Sequence, residues 1–190
     1  MCMGTLPSQL REKPFSLSQA AKLGVSRYVL GKLLSEGVVE QLARGVYRAS
    51  KGDISEEDQY QAATLRVGTP SAICLISALS HYQLTDTIPK KTWIMVPLSK
   101  RTAYRDLKVF RTHHPGWEIG IEKREGYSIT SLERTIVDCL NLRARIGTQI
   151  GIEALRKAVT SKNTTLAKIM EMAVKLDVVH RIRPYIEALT

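Results

Sequence analysis

Apolar positions recur at helical spacing from residue 16 onward, and two short helices can be read from them. Ser16 stands before Leu17-Ser18-Gln19-Ala20-Ala21-Lys22-Leu23. A serine N-cap with glutamine three residues on is a capping box and predicts a helix start. Gly24 ends that helix in the left-handed position glycine tolerates. Ser26 is a second cap, and Arg27 to Glu36 follow with Val29, Leu30, Leu33 and Leu34 along one stripe, until Gly37 stops them. Two short helices joined by a glycine-containing turn form the helix-turn-helix pattern. The period then shortens. Val38 to Leu42 and Val46 to Arg48 read as strands around a tight Ala43-Arg44-Gly45 turn, placing a hairpin, or wing, after the second helix.

This unit ordinarily has a further helix packed beneath the other two. Only Leu6 to Lys13 is available for it, between Pro7 and Pro14. That helix is therefore short, or the following domain covers the exposed apolar side.

Beyond a polar junction at Lys51-Gly52-Asp53, Ser55 caps a helix over Glu56 to Val67. A mostly apolar helix is expected over Ser71 to Tyr82. Strands are expected at Thr92–Val96, Val109–His113, Glu118–Glu122 and Tyr127–Thr130. Helices follow at Leu132–Leu142, Gln149–Val159, Leu166–Leu176 and Arg181–Leu189. The reading is an α+β chain. Residues 1–51 form a winged helix-turn-helix DNA-binding domain. Residues 52–190 form a larger mixed domain with a small, mainly antiparallel sheet and C-terminal helices.

Charge sharpens this picture. The 190 residues carry 28 basic and 18 acidic side chains, a formal charge of +10. Eight basic and three acidic residues fall in 1–51, one and five in 52–89, and seven and one in 90–111. Basic charge gathered in blocks suits a polyanionic partner. The second helix of such a unit enters the major groove. Ser26 and the helix N-terminus can hold a phosphate. Arg27 reaches guanine edges or a phosphate, Tyr28 a sugar or thymine methyl, and Lys32 a phosphate, while Gly31 lets the backbone come close. In the wing, Arg44 enters the adjacent minor groove and Arg48 steadies the DNA backbone. Lys100, Arg101 and Arg105, in the loop from Leu98 to Leu107, either extend this footprint or form a solvated face. The competing use of the same fold is protein–protein contact.

The N-terminal pattern, Ser77-Ala78-Leu79-Ser80-His81-Tyr82-Gln83-Leu84-Thr85, and Tyr127-Ser128-Ile129-Thr130-Ser131-Leu132-Glu133-Arg134-Thr135-Ile136-Val137-Asp138 together resemble the AbiEi-type antitoxins of bacterial abortive-infection systems. The resemblance runs from about Phe15 to Leu189. It implies a repressor of its own type IV toxin–antitoxin operon, bound to operator DNA, possible as a homodimer. It also implies a nucleotidyltransferase-like toxin encoded nearby and countered without a stable complex. The family's DNA-contacting part maps onto Ser26 to Lys32 and Arg44 to Arg48. Within the third motif, Arg134 and Asp138 lie four apart and can pair along a helix. They make either a structural junction or a phosphate or effector site.

An enzyme is not expected. The alternative is a metal-dependent nuclease with an accessory winged helix, whose acids would come from Asp106, Glu118 and Glu122 beside Lys123. Glu118 and Glu122 share one face of the expected strand, and an ordinary solvent face accounts for them. His113 and His114 would point to opposite sides of a strand and so not enter one site. Phosphate-binding, hydrolase and zincin motifs do not occur. Cys2, Cys74 and Cys139 lack zinc-ligand spacing, so no metal or cofactor is expected, and Cys74 and Cys139 read as small core residues. The N-terminus lacks an apolar signal region and no apolar run reaches membrane-spanning length, so a cytoplasmic protein with no membrane partner is expected.

Overall fold

The computed structural model describes residues 6–189; Cys2 lies outside them. The chain divides into two compact units, one ending at Thr69 and the other beginning at Pro70.

In the first unit the chain opens with a 3₁₀ turn, Ser8–Leu10, and strand β1, Phe15–Ser16. Helices α1, Leu17–Lys22, and α2, Arg27–Ser35, follow, then strands β2, Val39–Ala43, and β3, Val46–Ala49, and helix α3, Glu56–Val67. The predicted caps are present. Ser16 accepts from the Gln19 amide while the Gln19 side chain accepts from the Ser16 amide, and Ser26 accepts from the Val29 amide. β1, β3 and β2 form a three-stranded antiparallel sheet in that order. Pro14 favours extended backbone before it, and Phe15 then pairs with Tyr47 across the sheet, their rings 6.1 Å apart. Leu6, Leu10, Phe15, Ala20, Val25, Leu30, Leu33 and Val39 form the core.

The helix expected before α1 is reduced to the 3₁₀ turn, whose Leu10, with Leu6 just before the turn, sits in this core. α3 packs on β1, β2 and β3. The contact boundary therefore falls at 69/70, not at the 51/52 junction expected from composition. Lys51-Gly52-Asp53 is no linker, because the Gly52 and Asp53 carbonyls both accept from Arg48.

The second unit holds a five-stranded sheet of order β6-β5-β4-β8-β7. Its strands are β4, Ala72–Ile73; β5, Thr92–Pro97; β6, Leu107–Thr112; β7, Ile121–Arg124; and β8, Tyr127–Thr130. β4–β5 and β7–β8 pair antiparallel, while β4–β8 and β5–β6 pair parallel. The sheet is thus evenly mixed rather than mainly antiparallel.

Three local expectations change. The helix expected from Ser71 begins as β4 and turns into α4, Leu75–His81, through Leu75 at φ 49°. The strand expected at Glu118–Glu122 is shifted to β7, so Glu118 lies before it in a turn and the shared face with Glu122 is lost. β6 ends at Thr112, so His113 and His114 follow the strand rather than alternate along it.

α5, Leu132–Asn141, is the central helix of this unit, packed by α4, α7 (Thr148–Thr160), α8 (Leu166–Lys175) and α9 (Val179–Glu187). A short α6, Arg143–Ile146, precedes α7. Ile136, Val137, Cys139 and Leu140 are fully buried along α5, and Cys74 joins the same core. Burial pushes both thiols well above the ordinary range, as small core residues would be.

Candidate nucleic-acid interface

The inner stripe of α2, Leu30 and Leu33 with Val29 and Leu34 beside them, is drawn into the core. That fixes the opposite side outward. Ser26, Arg27, Tyr28, Gly31 and Lys32 are all exposed, Tyr28 by 83%. Residues three and four apart share a helix face, so Arg27, Tyr28, Gly31 and Lys32 make one outer surface. Lys32 meets Glu36 at 3.7 Å, a solvent-exposed contact worth little in water. The Ser26 hydroxyl is occupied by the Val29 amide at 3.3 Å. Its cap fixes where α2 begins.

At the hairpin tip Arg44 is exposed, and the neighbouring Gly45 carbonyl accepts from the Leu17 amide at 3.2 Å. This bond ties the tip of the ribbon to the start of α1.

Arg48 is a correction. Its side chain is buried, 2.6 Å from Glu40 and 2.8 Å from Asp58. Its guanidinium also donates to the carbonyls of Gly52 and Asp53. The residue expected to steady a DNA backbone instead clamps the hairpin to the first turn of α3. Along β3, side chains alternate in direction. Tyr47 and Ala49 pack on the helix core, so Val46 and Arg48 turn the other way.

In the second unit, Arg101 and Arg105 are exposed in the connection between β5 and β6, and Lys100 is half-buried. Lys100 donates to the Pro70 carbonyl at 3.4 Å, and burial lowers its pKa from the ordinary lysine value. The Lys91 ammonium holds the loop by donating to the Arg105 carbonyl.

The Arg134–Asp138 pair is present, at 2.7 Å, with both side chains nearly buried. Arg134 also donates to the Ile119 carbonyl. Gly120 makes this approach possible: it sits at φ +67°, and a Cβ there would lie 2.9 Å from the Arg134 Cβ. Thr135 bonds back to Thr130 and to the Ser131 carbonyl. The motif is a junction between β8 and α5.

The acids considered for a nuclease do not converge. Glu122 pairs with Arg124 at 2.6 Å. Among the described residues no group of three or more His, Cys, Asp or Glu side chains stands where it could hold a metal ion. No helix among them is long and apolar enough to cross a membrane.

These features define a mixed α+β protein whose first unit sets two short helices and a β-hairpin behind a cationic surface. Residues 9–50, from the 3₁₀ turn to the end of the hairpin, match the family model described as transcriptional regulator, AbiEi antitoxin. The match stops short of the Ser77–Thr85 and Tyr127–Asp138 motifs. No curated protein matches the chain.

Proposed function

We propose that the first unit is a winged helix-turn-helix and that the chain is a sequence-specific DNA-binding repressor. The observation that carries this reading is the outward surface of α2, with Arg27, Tyr28 and Lys32 exposed in a segment that matches a transcriptional-regulator family. α2 enters the major groove. Arg27 reads a base edge or grips a phosphate, Lys32 takes a phosphate, and Arg44 reaches into the adjacent minor groove. Ser26 and the α2 N-terminus face a phosphate through backbone amides. Arg48 has no part in this contact.

As an antitoxin the chain represses its own type IV toxin–antitoxin operon, and its partner gene encodes a nucleotidyltransferase-like toxin that it counters without a stable complex. A homodimer would read two half-sites about one helical turn apart.

The test is an electrophoretic shift on the DNA upstream of the chain's own gene. Arg27→Ala/Lys32→Ala should weaken binding by about five- to 150-fold, the equivalent of roughly one to three kcal/mol carried by such contacts. Both side chains are exposed, so thermal stability should be unchanged. Full affinity in a stable double variant would refute the assignment of α2.

A further inference from the structure

His113 and His114 follow the end of β6, and both line one cavity of about 210 Å³ within the second unit. The expectation that they could not share a site is overturned by where the strand stops.

The cavity's lining divides by chemistry. Phe110, Leu142, Leu176 and Val178 supply apolar surface. Arg134 and Asp138 form part of the wall, but each answers the other's charge. Burial raises the Asp138 pKa above the ordinary carboxylate range, against the opposing pull of Arg134 and then His114. Arg111 and Arg145 are exposed and belong to the lining. Neither has a carboxylate within ion-pairing distance among the described residues. Arg145 lies over the Phe110 ring, 5.6 Å from its centroid, which holds the guanidinium in place. The Gly116 amide donates to Nδ1 of His114 at 3.1 Å. A neutral His114 therefore carries its proton on Nε2, as a donor.

Two guanidinium groups without an internal counter-charge, a ring donor and an apolar interior suit one class of ligand. For a metal ion, Asp138 is already bound by Arg134, and His113 and His114 do not join it in a group of three or more ligands placed to hold one among the described residues. A nucleic-acid phosphate would meet Arg111 and Arg145 at the surface but leave the apolar interior empty. We propose that this cavity binds a small organic anion: a carboxylate or phosphate monoester whose hydrocarbon body is about the size of a benzene ring. A benzene-sized guest needs about 150 Å³, which the space accommodates. The anionic head pairs with Arg111 and Arg145, and the body displaces water from Leu142, Leu176 and Val178.

The site is independent of the DNA-binding reading, and its test does not involve DNA. The ¹⁵N-labelled full chain is titrated with phenyl phosphate and, separately, with phenol and inorganic phosphate. Phenyl phosphate should give saturable shifts at residues 110–114 and 141–145, with a dissociation constant near or below about 1 mM. Phenol and phosphate alone should each bind about tenfold more weakly. Benzoate, run alongside, ranks the two head groups, and comparable or tighter binding supports the same site. Arg111→Gln/Arg145→Gln should weaken phenyl phosphate about tenfold while leaving the phenol shifts and the melting temperature in place. Three results would overturn the proposal: no saturable shifts at these residues, inorganic phosphate as effective as phenyl phosphate, or undiminished binding by the double variant.

Discussion

Gly31 sits in the outer face of α2, one turn after Arg27, and an added Cβ there would meet no atom within 4 Å. Nothing inside the protein requires glycine at this helical position. In a helix interior glycine costs roughly 0.5–1 kcal/mol relative to alanine. If the outer face of α2 presses into a groove, the missing side chain has its use there. Gly31→Ala should therefore raise stability by about that amount in denaturant melts and weaken operator binding by about tenfold. A variant that is both more stable and fully active in the shift assay would mean that α2 does not approach DNA through this surface. Arg27, Tyr28 and Lys32 were legible in the sequence because their neighbours Leu30 and Leu33 fix the inner stripe. Arg48 departs from its expected role, although the sequence carries a signal of its burial. It lies two residues from Val46, and period-two alternation gives them one face. Once Val46 is buried, Arg48 must be buried too, and a buried guanidinium needs carboxylates or carbonyls around it.

Among the elements, those with a chemical start or stop were legible: α1, α2, α3 and α5 all begin at serine caps whose hydroxyls accept the expected amide. β4 was not. Ser71 to Leu79 is apolar almost throughout, and a short continuous apolar run does not distinguish strand from helix. The change of direction occurs at Leu75, with neither glycine nor proline to mark it. β7 starts later than expected because the turn opened by Pro115-Gly116 continues through Glu118 and Ile119 to Gly120 before the strand begins. The parallel pairing of β5 with β6 has a consequence for the loop between them. A parallel connection must return along the strand, so residues 98–106 run the length of the sheet edge rather than close a tight turn. Arg101 and Arg105 are thereby carried outward on an extended segment. If this segment joins the DNA footprint, Arg101→Ala/Arg105→Ala should reduce the slope of log K against log salt by about 1.8, two phosphates at roughly 0.9 each. An unaltered slope would make it a solvated face. Lys100 is left out of this variant because it is bonded to Pro70.

For the molecule as a whole, the division falls at Thr69 rather than Lys51, and it bears on which fragment should fold alone. A cut after residue 51 would remove the Asp58 carboxylate and the Gly52 and Asp53 carbonyls from around Arg48, leaving Glu40 as its remaining partner. It would also strip α3 from the sheet and expose Val46. Removing one side of a buried ion pair typically costs about 3–5 kcal/mol, and a domain of this size has only about 5 kcal/mol or so of stability to lose. The composition shift at Lys51-Gly52-Asp53 was a sound signal of a polar surface segment, but polarity there serves a buried guanidinium rather than a hinge. The fragment 1–69 should therefore melt cooperatively by circular dichroism and retain the DNA affinity assigned to α2 and the hairpin. The fragment 1–51 should show little cooperative structure and little binding. A cooperative melt of 1–51 at the temperature of 1–69 would show that α3 and its Arg48 clamp are dispensable, and that the unit closes on the two helices and the hairpin alone.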